Sequence, residues 1–179
     1  MDNVIAAVRN EADFETAVSS DTEIIFHLGP NVMNIGSCTK KAHAADKKLF
    51  IHMDLAEGIG KDRYGILLAK KMGIDGIIST RTNIIKAAKE LNVFTVQRFF
   101  IVDSHSVETT IESLKVSKAD MIEIMPGVVT KVISALRKRI AVPIIAGGII
   151  ETEAEVRRAV ESGAYAVSSG STALWVKTP

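Results

Sequence analysis

The chain has 179 residues, 47% of them apolar and 24% charged, which suits one soluble domain with a sizeable core, read here as residues 1–179. Its 22 basic residues stand against 21 acidic ones, so composition supplies none of the basic excess of a dedicated nucleic-acid binder. A single cysteine, Cys38, excludes an intrachain disulfide and fits a reducing, cytoplasmic setting; no apolar run approaches a membrane span, and the start MDNVIAAVRNEADF is unlike a signal peptide.

In chain order, residues 3–19 read as an amphipathic helix or two short ones, and the first strand is IIFHL at 24–28. Strands follow at LFIHMD (49–54), GIIS (76–79), FTVQRFF (94–100), MIEIM (121–125), PIIAG (143–147) and AVSS (166–169). Helical patterns lie between them at 31–46, 62–72, 82–91, 105–117, 130–140 and 152–162. The last of these is the most explicit. Thr152 and Glu155 make a capping box, Val156, Ala159 and Val160 an apolar stripe, and Gly163 a left-handed stop.

Strands alternating with helices predict a parallel sheet, and their short, even spacing favours a closed barrel over an open doubly wound sheet. HLGPNVMNIG, after the first strand, lacks the GxGxxG of a dinucleotide site. The expected fold is α/β: a TIM-type (β/α) barrel, incomplete or distorted, with about seven strands and an N-terminal helix placed to plug its bottom. Ser171–Pro179 are too few to add another strand–helix unit.

Alternation along each strand assigns its faces. It puts His27, His52, Asp54, Gln97 and Glu123 inward, with Phe94 and Val96 facing out. Barrel interiors are mostly layers of branched aliphatics, and an unpartnered buried polar group costs about 1–3 kcal/mol. Any one of the five fits a network that merely closes the barrel. Together they point to a polar-ligand pocket at the C-terminal face. Loops there add Glu57 and Lys61 from DLAEGIGKD (54–62), Arg81 from STRT and Arg98 from QRFF.

The last two strand ends are more specific. Gly147-Gly148 and Ser169-Gly170-Ser171 suit a phosphate held on backbone N–H groups beside a helix N-terminus. Glycines that only permit tight turns are the plainer alternative.

Reaction chemistry is thinly represented. No strand core carries the lysine of a Schiff-base enzyme. His27, His52, Asp54 and Glu123 are metal-binding types, but no HxH or HExxH spacing focuses them, and no metal is expected. Asp54 and Glu123 as an acid/base pair would make an isomerase or lyase acting on a small phosphorylated substrate. That is the alternative to a protein that only senses its ligand, for which no catalytic residue is assigned.

Six stretches add a resemblance. HMDLAEGIGKDRYGI, DGIISTR, TVQRFFIVDS, IEIMPG, PIIAGGII and AVSSGSTALW, in this order, resemble the glycerol-3-phosphate responsive antiterminator family over about residues 5–175. The resemblance implies a TIM-barrel-like regulator without catalytic activity. Its small-molecule effector would be glycerol 3-phosphate, and its partner the leader mRNA of a glycerol uptake operon, on which it suppresses premature termination. No cofactor and no membrane are expected, and a homo-oligomer is compatible with the reading. From strand position, the phosphate is expected on Gly147, Gly148, Ser169, Gly170 and Ser171. The polyol is expected among His27, His52, Asp54, Glu57, Gln97 and Glu123, with Lys61, Arg81 and Arg98 as loop cations.

Overall fold

The computed structural model describes residues 3–176. Eight parallel strands close into a barrel in sequential order: β1 (Val4–Val8), β2 (Ile24–His27), β3 (Lys48–His52), β4 (Gly76–Ser79), β5 (Phe94–Phe100), β6 (Met121–Met125), β7 (Ile144–Gly147) and β8 (Ala166–Ser169). The outer layer is α1 (Glu11–Val18), α2 (Ile35–Ala44), α3 (Arg63–Lys71), α4 (Thr82–Glu90), α5 (Ser104–Ser117), α6 (Thr130–Arg137) and α7 (Glu153–Glu161). A 3-10 turn at Thr172–Leu174 follows β8, and the Trp175 indole N–H behind it donates to the Ser169 carbonyl at 2.9 Å. None of the described helices is long and apolar enough to cross a membrane.

The TIM-type α/β fold is as the pattern predicts, but the expected gap in the barrel is absent. The eighth strand lies inside residues 3–19. There β1 pairs with β2 through Ala6 and Ile25, and with β8 through Ile5 and Ser168. VIAAV has two alanines and no polar alternation, so in sequence it merges with the helical pattern that follows. Helix α1 packs outside, against β1 and β2, rather than plugging the bottom.

Two apolar layers define the strand faces. Ile25, Ile51, Ile77, Ile122, Ile144 and Val167 form the shell between sheet and helices. Ile5, Phe26, Phe50, Ile78, Val96 and Ile145 fill the lumen. Val96 is thus inside, and the faces expected for β5 are reversed. Gln97 lies on the outer side, where its amide donates to Thr82 Oγ1 and Ser113 Oγ at 3.1 Å each. His27 is also outside the lumen, stacked on Phe14 of α1 with ring centroids 5.8 Å apart. Period two shows which residues share a face but not which face is inward. In β5 both faces mix polar and apolar residues, so the tie is broken only by the helices that arrive to bond Gln97.

The same reversal moves Arg98. It is a lumen residue, 6% exposed, rather than a loop cation. The lumen is therefore apolar towards the strand starts and polar towards the strand ends, where His52, Arg98, Glu123 and Ser168 lie buried.

Candidate functional site

The floor of the C-terminal mouth is built by strand register. Arg98 of β5 lies opposite Glu123 of β6, and its Nε donates to Glu123 Oε2 at 2.5 Å. The other carboxylate oxygen accepts from Ser168 Oγ at 2.5 Å. Glu123 is fully buried, so the pair survives only because both oxygens are bonded and the charge is neutralised. Gly147 makes the room. A Cβ there would collide with Glu123 Oε1 and lie 2.7 Å from Ser168 Oγ. Beside this pair, His52 is 3% exposed, and its Nδ1 has no partner among the described residues. Burial, reinforced by the Arg98 charge, pushes its pKa down to about 4, leaving the imidazole neutral at pH 7.

Above the floor is a cavity of about 170 Å³, whose walls include Arg9, Arg98, Gly148, Ile149, Ile150 and Gly170. Gly148 and Ile149 have φ of 76° and 57°. Left-handed residues in a turn ahead of a helix are the kind of backbone that presents N–H groups to an anion. For a β-branched residue such as Ile149 this backbone is costly, and such strain concentrates at ligand clamps. The N–H groups of Gly148, Ile149, Ile150 and Gly170 have no acceptor among the described residues. Ser169 and Ser171 are arranged differently: Ser169 Oγ donates to the Ile150 carbonyl at 2.6 Å and accepts from the Ser171 N–H at 3.0 Å. Ser169 lines the cavity as a brace for the turn, and the Ser171 N–H is already taken.

At the rim, Asp54 just beyond β3 accepts from Ser79 Oγ at 2.6 Å, the Thr80 N–H at 2.7 Å and Thr80 Oγ1 at 2.8 Å. Burial works to raise the Asp54 carboxyl, but these donors outweigh it and hold the group below its ordinary range. Asp54 ties the loop after β3 to the loop after β4, with Arg81 Nε 3.9 Å away. Lys61 donates to the Ala56 carbonyl within its own loop, and burial lowers its pKa. The backbone of Glu57 pairs with Pro30 and Val32, docking that loop on the one after β2, while its side chain is exposed.

Of the expected site residues, the structure gathers Gly148, Ser169, Gly170, Arg98 and Glu123 around one cavity, with Gly147 and His52 adjoining. Asp54, Glu57, Lys61 and Arg81 form a rim of braced loops, whereas His27 and Gln97 belong to the helix layer. Two polar side chains of the lining were not expected, Arg9 and Ser168. Arg9 follows β1, whose strand character is hidden in the sequence, so its place at a strand end is hidden too. Ser168 was legible, because alternation from Ala166 puts it inward.

No three His, Cys, Asp or Glu side chains among the described residues are grouped to hold a metal. The mouth thus offers two guanidinium groups, unbonded N–H donors and a buried carboxylate, a set suited to a small phosphorylated polyol.

A family profile described as "Glycerol-3-phosphate responsive antiterminator" matches residues 4–175. The crystal structure of a glycerol uptake operon antiterminator regulatory protein from Listeria monocytogenes is 33% identical, with TM-score 0.91 over 97% of this chain and 94% of that one. A glycerol uptake operon antiterminator-related protein from Thermotoga maritima is 32% identical, with TM-score 0.87 over 97% of both chains. The Escherichia coli protein YgcP, itself uncharacterized, is 38% identical over 173 residues, 96% of this chain and 91% of its own. The chain belongs to the glycerol-3-phosphate responsive antiterminator family.

Proposed function

We propose that the chain binds glycerol 3-phosphate in the mouth of the barrel and, so loaded, binds an operon leader mRNA to prevent premature transcription termination. It does so in the cytoplasm, without a cofactor and without catalysing a reaction. The observation that carries this reading is the row of unbonded N–H groups at Gly148, Ile149, Ile150 and Gly170, set against Arg9 and Arg98 in one cavity. The donors take the phosphate, while Glu123 and His52 lie deeper, where the hydroxyls of a three-carbon chain would reach. The descriptions of the family and of its Listeria and Thermotoga members supply the effector and the operon context.

The isomerase or lyase reading has less behind it. Glu123 has one oxygen on Arg98 and the other on Ser168, and Asp54 is engaged by Ser79 and Thr80. Neither carboxylate stands free as a general base. An effector shifts RNA affinity only by its differential affinity for two states of the protein. The test is therefore paired: calorimetric titration with glycerol 3-phosphate, glycerol and inorganic phosphate, then leader-RNA affinity with and without the best ligand. Glycerol 3-phosphate is expected to bind at least tenfold tighter than either fragment and to change RNA affinity. Equal binding of phosphate alone, or RNA affinity indifferent to the ligand, removes the reading.

A further inference from the structure

The opposite end of the barrel has its own opening. A cavity of about 350 Å³, twice that of the effector mouth, lies among the strand starts. Its walls include Ile5, Phe26, Phe50, Val96 and Ile145 of the lumen core, and Asn3, Glu23 and Tyr165 give it a polar edge. Tyr165 is 64% exposed. Phe94, 42% exposed, stands edge-on to Phe50 with centroids 5.7 Å apart. An apolar recess with open aromatic rings is what an unstacked nucleobase needs.

Charge at this end suits a polyanion. Every helix of a (β/α) barrel ends here, and cations that complement helix C-termini collect with them. Lys70 and Lys71 close α3, Lys89 closes α4, Lys115 α5 and Arg137 α6, whereas the acidic first turns of α1 and α7 lie at the effector end. Four exposed lysines at this end, Lys48, Lys71, Lys118 and Lys138, have no acidic partner among the described residues. They belong to four different sectors, before or at the starts of β3, β4, β6 and β7. Lys48 sits two residues before Phe50, on the same lumen-facing side. Exposed Glu23, Asp46 and Glu161 lie at this end as well, so its charge is mixed, with the four unpaired lysines spaced around an aromatic recess.

We propose that single-stranded RNA docks on this amino-terminal face of the barrel, its phosphates on the lysine ring and one base in the recess, with Glu23 and Asn3 facing the base edge. This rests on the RNA-binding reading above and adds where the RNA lies: at the end remote from the effector. The two ligands do not compete for space. Asp54 ties the loop that leads into α3 to Ser79 and Thr80 just before α4, and the far ends of these two helices carry Lys71 and Lys89, so they are the elements through which the two faces would communicate.

The test uses a fluorescein-labelled 5′ leader transcript of the glycerol uptake operon of the source genome, with glycerol 3-phosphate present, and anisotropy at several salt concentrations. The triple variant Lys48→Gln/Lys71→Gln/Lys118→Gln is expected to lose at least tenfold in RNA affinity. Its log–log salt slope should fall by about two, roughly 0.7 per lost phosphate contact. Calorimetric affinity for glycerol 3-phosphate should stay within twofold of wild type, showing the barrel intact. Tyr165→Ala, at an exposed site, should weaken RNA binding with the salt slope unchanged. RNA binding by the triple variant equal to wild type overturns the proposed face while leaving the RNA-binding reading standing. Wild-type protein that binds no RNA overturns both. A concentration-dependent dimer in sedimentation that Tyr165→Ala dissolves would make the face a contact between copies of the chain, and also overturns it.

Discussion

The residue on which the site turns is Glu123, a fully buried carboxylate with one oxygen on Arg98 and the other on Ser168. Desolvating two charges offsets most of their attraction, so such a pair adds little stability over a well-packed apolar replacement. Removing one partner is another matter, because the remaining charge is stranded. Arg98→Met should therefore destabilise the protein by about 3–5 kcal/mol, and Arg98→Met/Glu123→Leu should recover most of that loss. Neither variant is expected to bind glycerol 3-phosphate. Urea denaturation combined with calorimetry separates the two effects. A double variant as stable as wild type but unable to bind would assign the pair to the ligand rather than to the fold. A double variant no more stable than the single one would mean that the pair is needed for packing.

Among the elements, α7 was the most legible, because its start and stop are chemical. Thr152 and Glu155 cap each other's backbone, and Gly163 takes φ of 107° at the exit. Strand β1 was illegible for the converse reason: its five residues carry neither turn signals nor alternating polarity, and only pairing with β2 and β8 makes them a strand. That one gap also hid Arg9. For β5 the period was legible and the inward side was not, so Gln97 was expected in the lumen and Arg98 on the rim. The turn between β7 and α7 combines both situations. Its glycines announce a special backbone, but only the folded turn reveals that Gly148 at φ 76° is followed by Ile149 at φ 57° and that both N–H groups are left without an acceptor among the described residues. Gly148→Ala places a Cβ 2.6 Å from the Met125 methyl in a backbone region alanine resists. It should cost about 1 kcal/mol or more in stability. Affinity for glycerol 3-phosphate should fall at least tenfold, a loss read by calorimetry. Unchanged affinity would move the phosphate off this turn.

For the molecule as a whole, the polar upper lumen predicts how stability depends on pH. His52 is buried neutral with a pKa of about 4, and burial lowers His27 as well. In the unfolded chain both histidines titrate near 6.5. Between those values the unfolded state binds the extra proton and the folded state does not, so stability falls as pH falls. The His52 contribution is complete above pH 6.5 and is lost progressively towards pH 4, by on the order of 3 kcal/mol. Asp54 and Asp120, held below the ordinary aspartate value by bonds that outweigh their burial, add a loss of the same sign at still lower pH. The protein should therefore begin to weaken at pH 6.5, well before its carboxylates are protonated. Urea midpoints at pH 7, 5.5 and 4.5 provide the measurement, with His52→Leu as the comparison because leucine cannot titrate. The variant should lose less stability than wild type across that range, whatever its stability at pH 7. Parallel curves would show that the proton enters elsewhere, with His27 on the outer layer the next group to replace. A bound phosphate would act in the opposite direction, favouring protonated His52 through its negative charge, so saturating ligand should flatten the wild-type curve above pH 5.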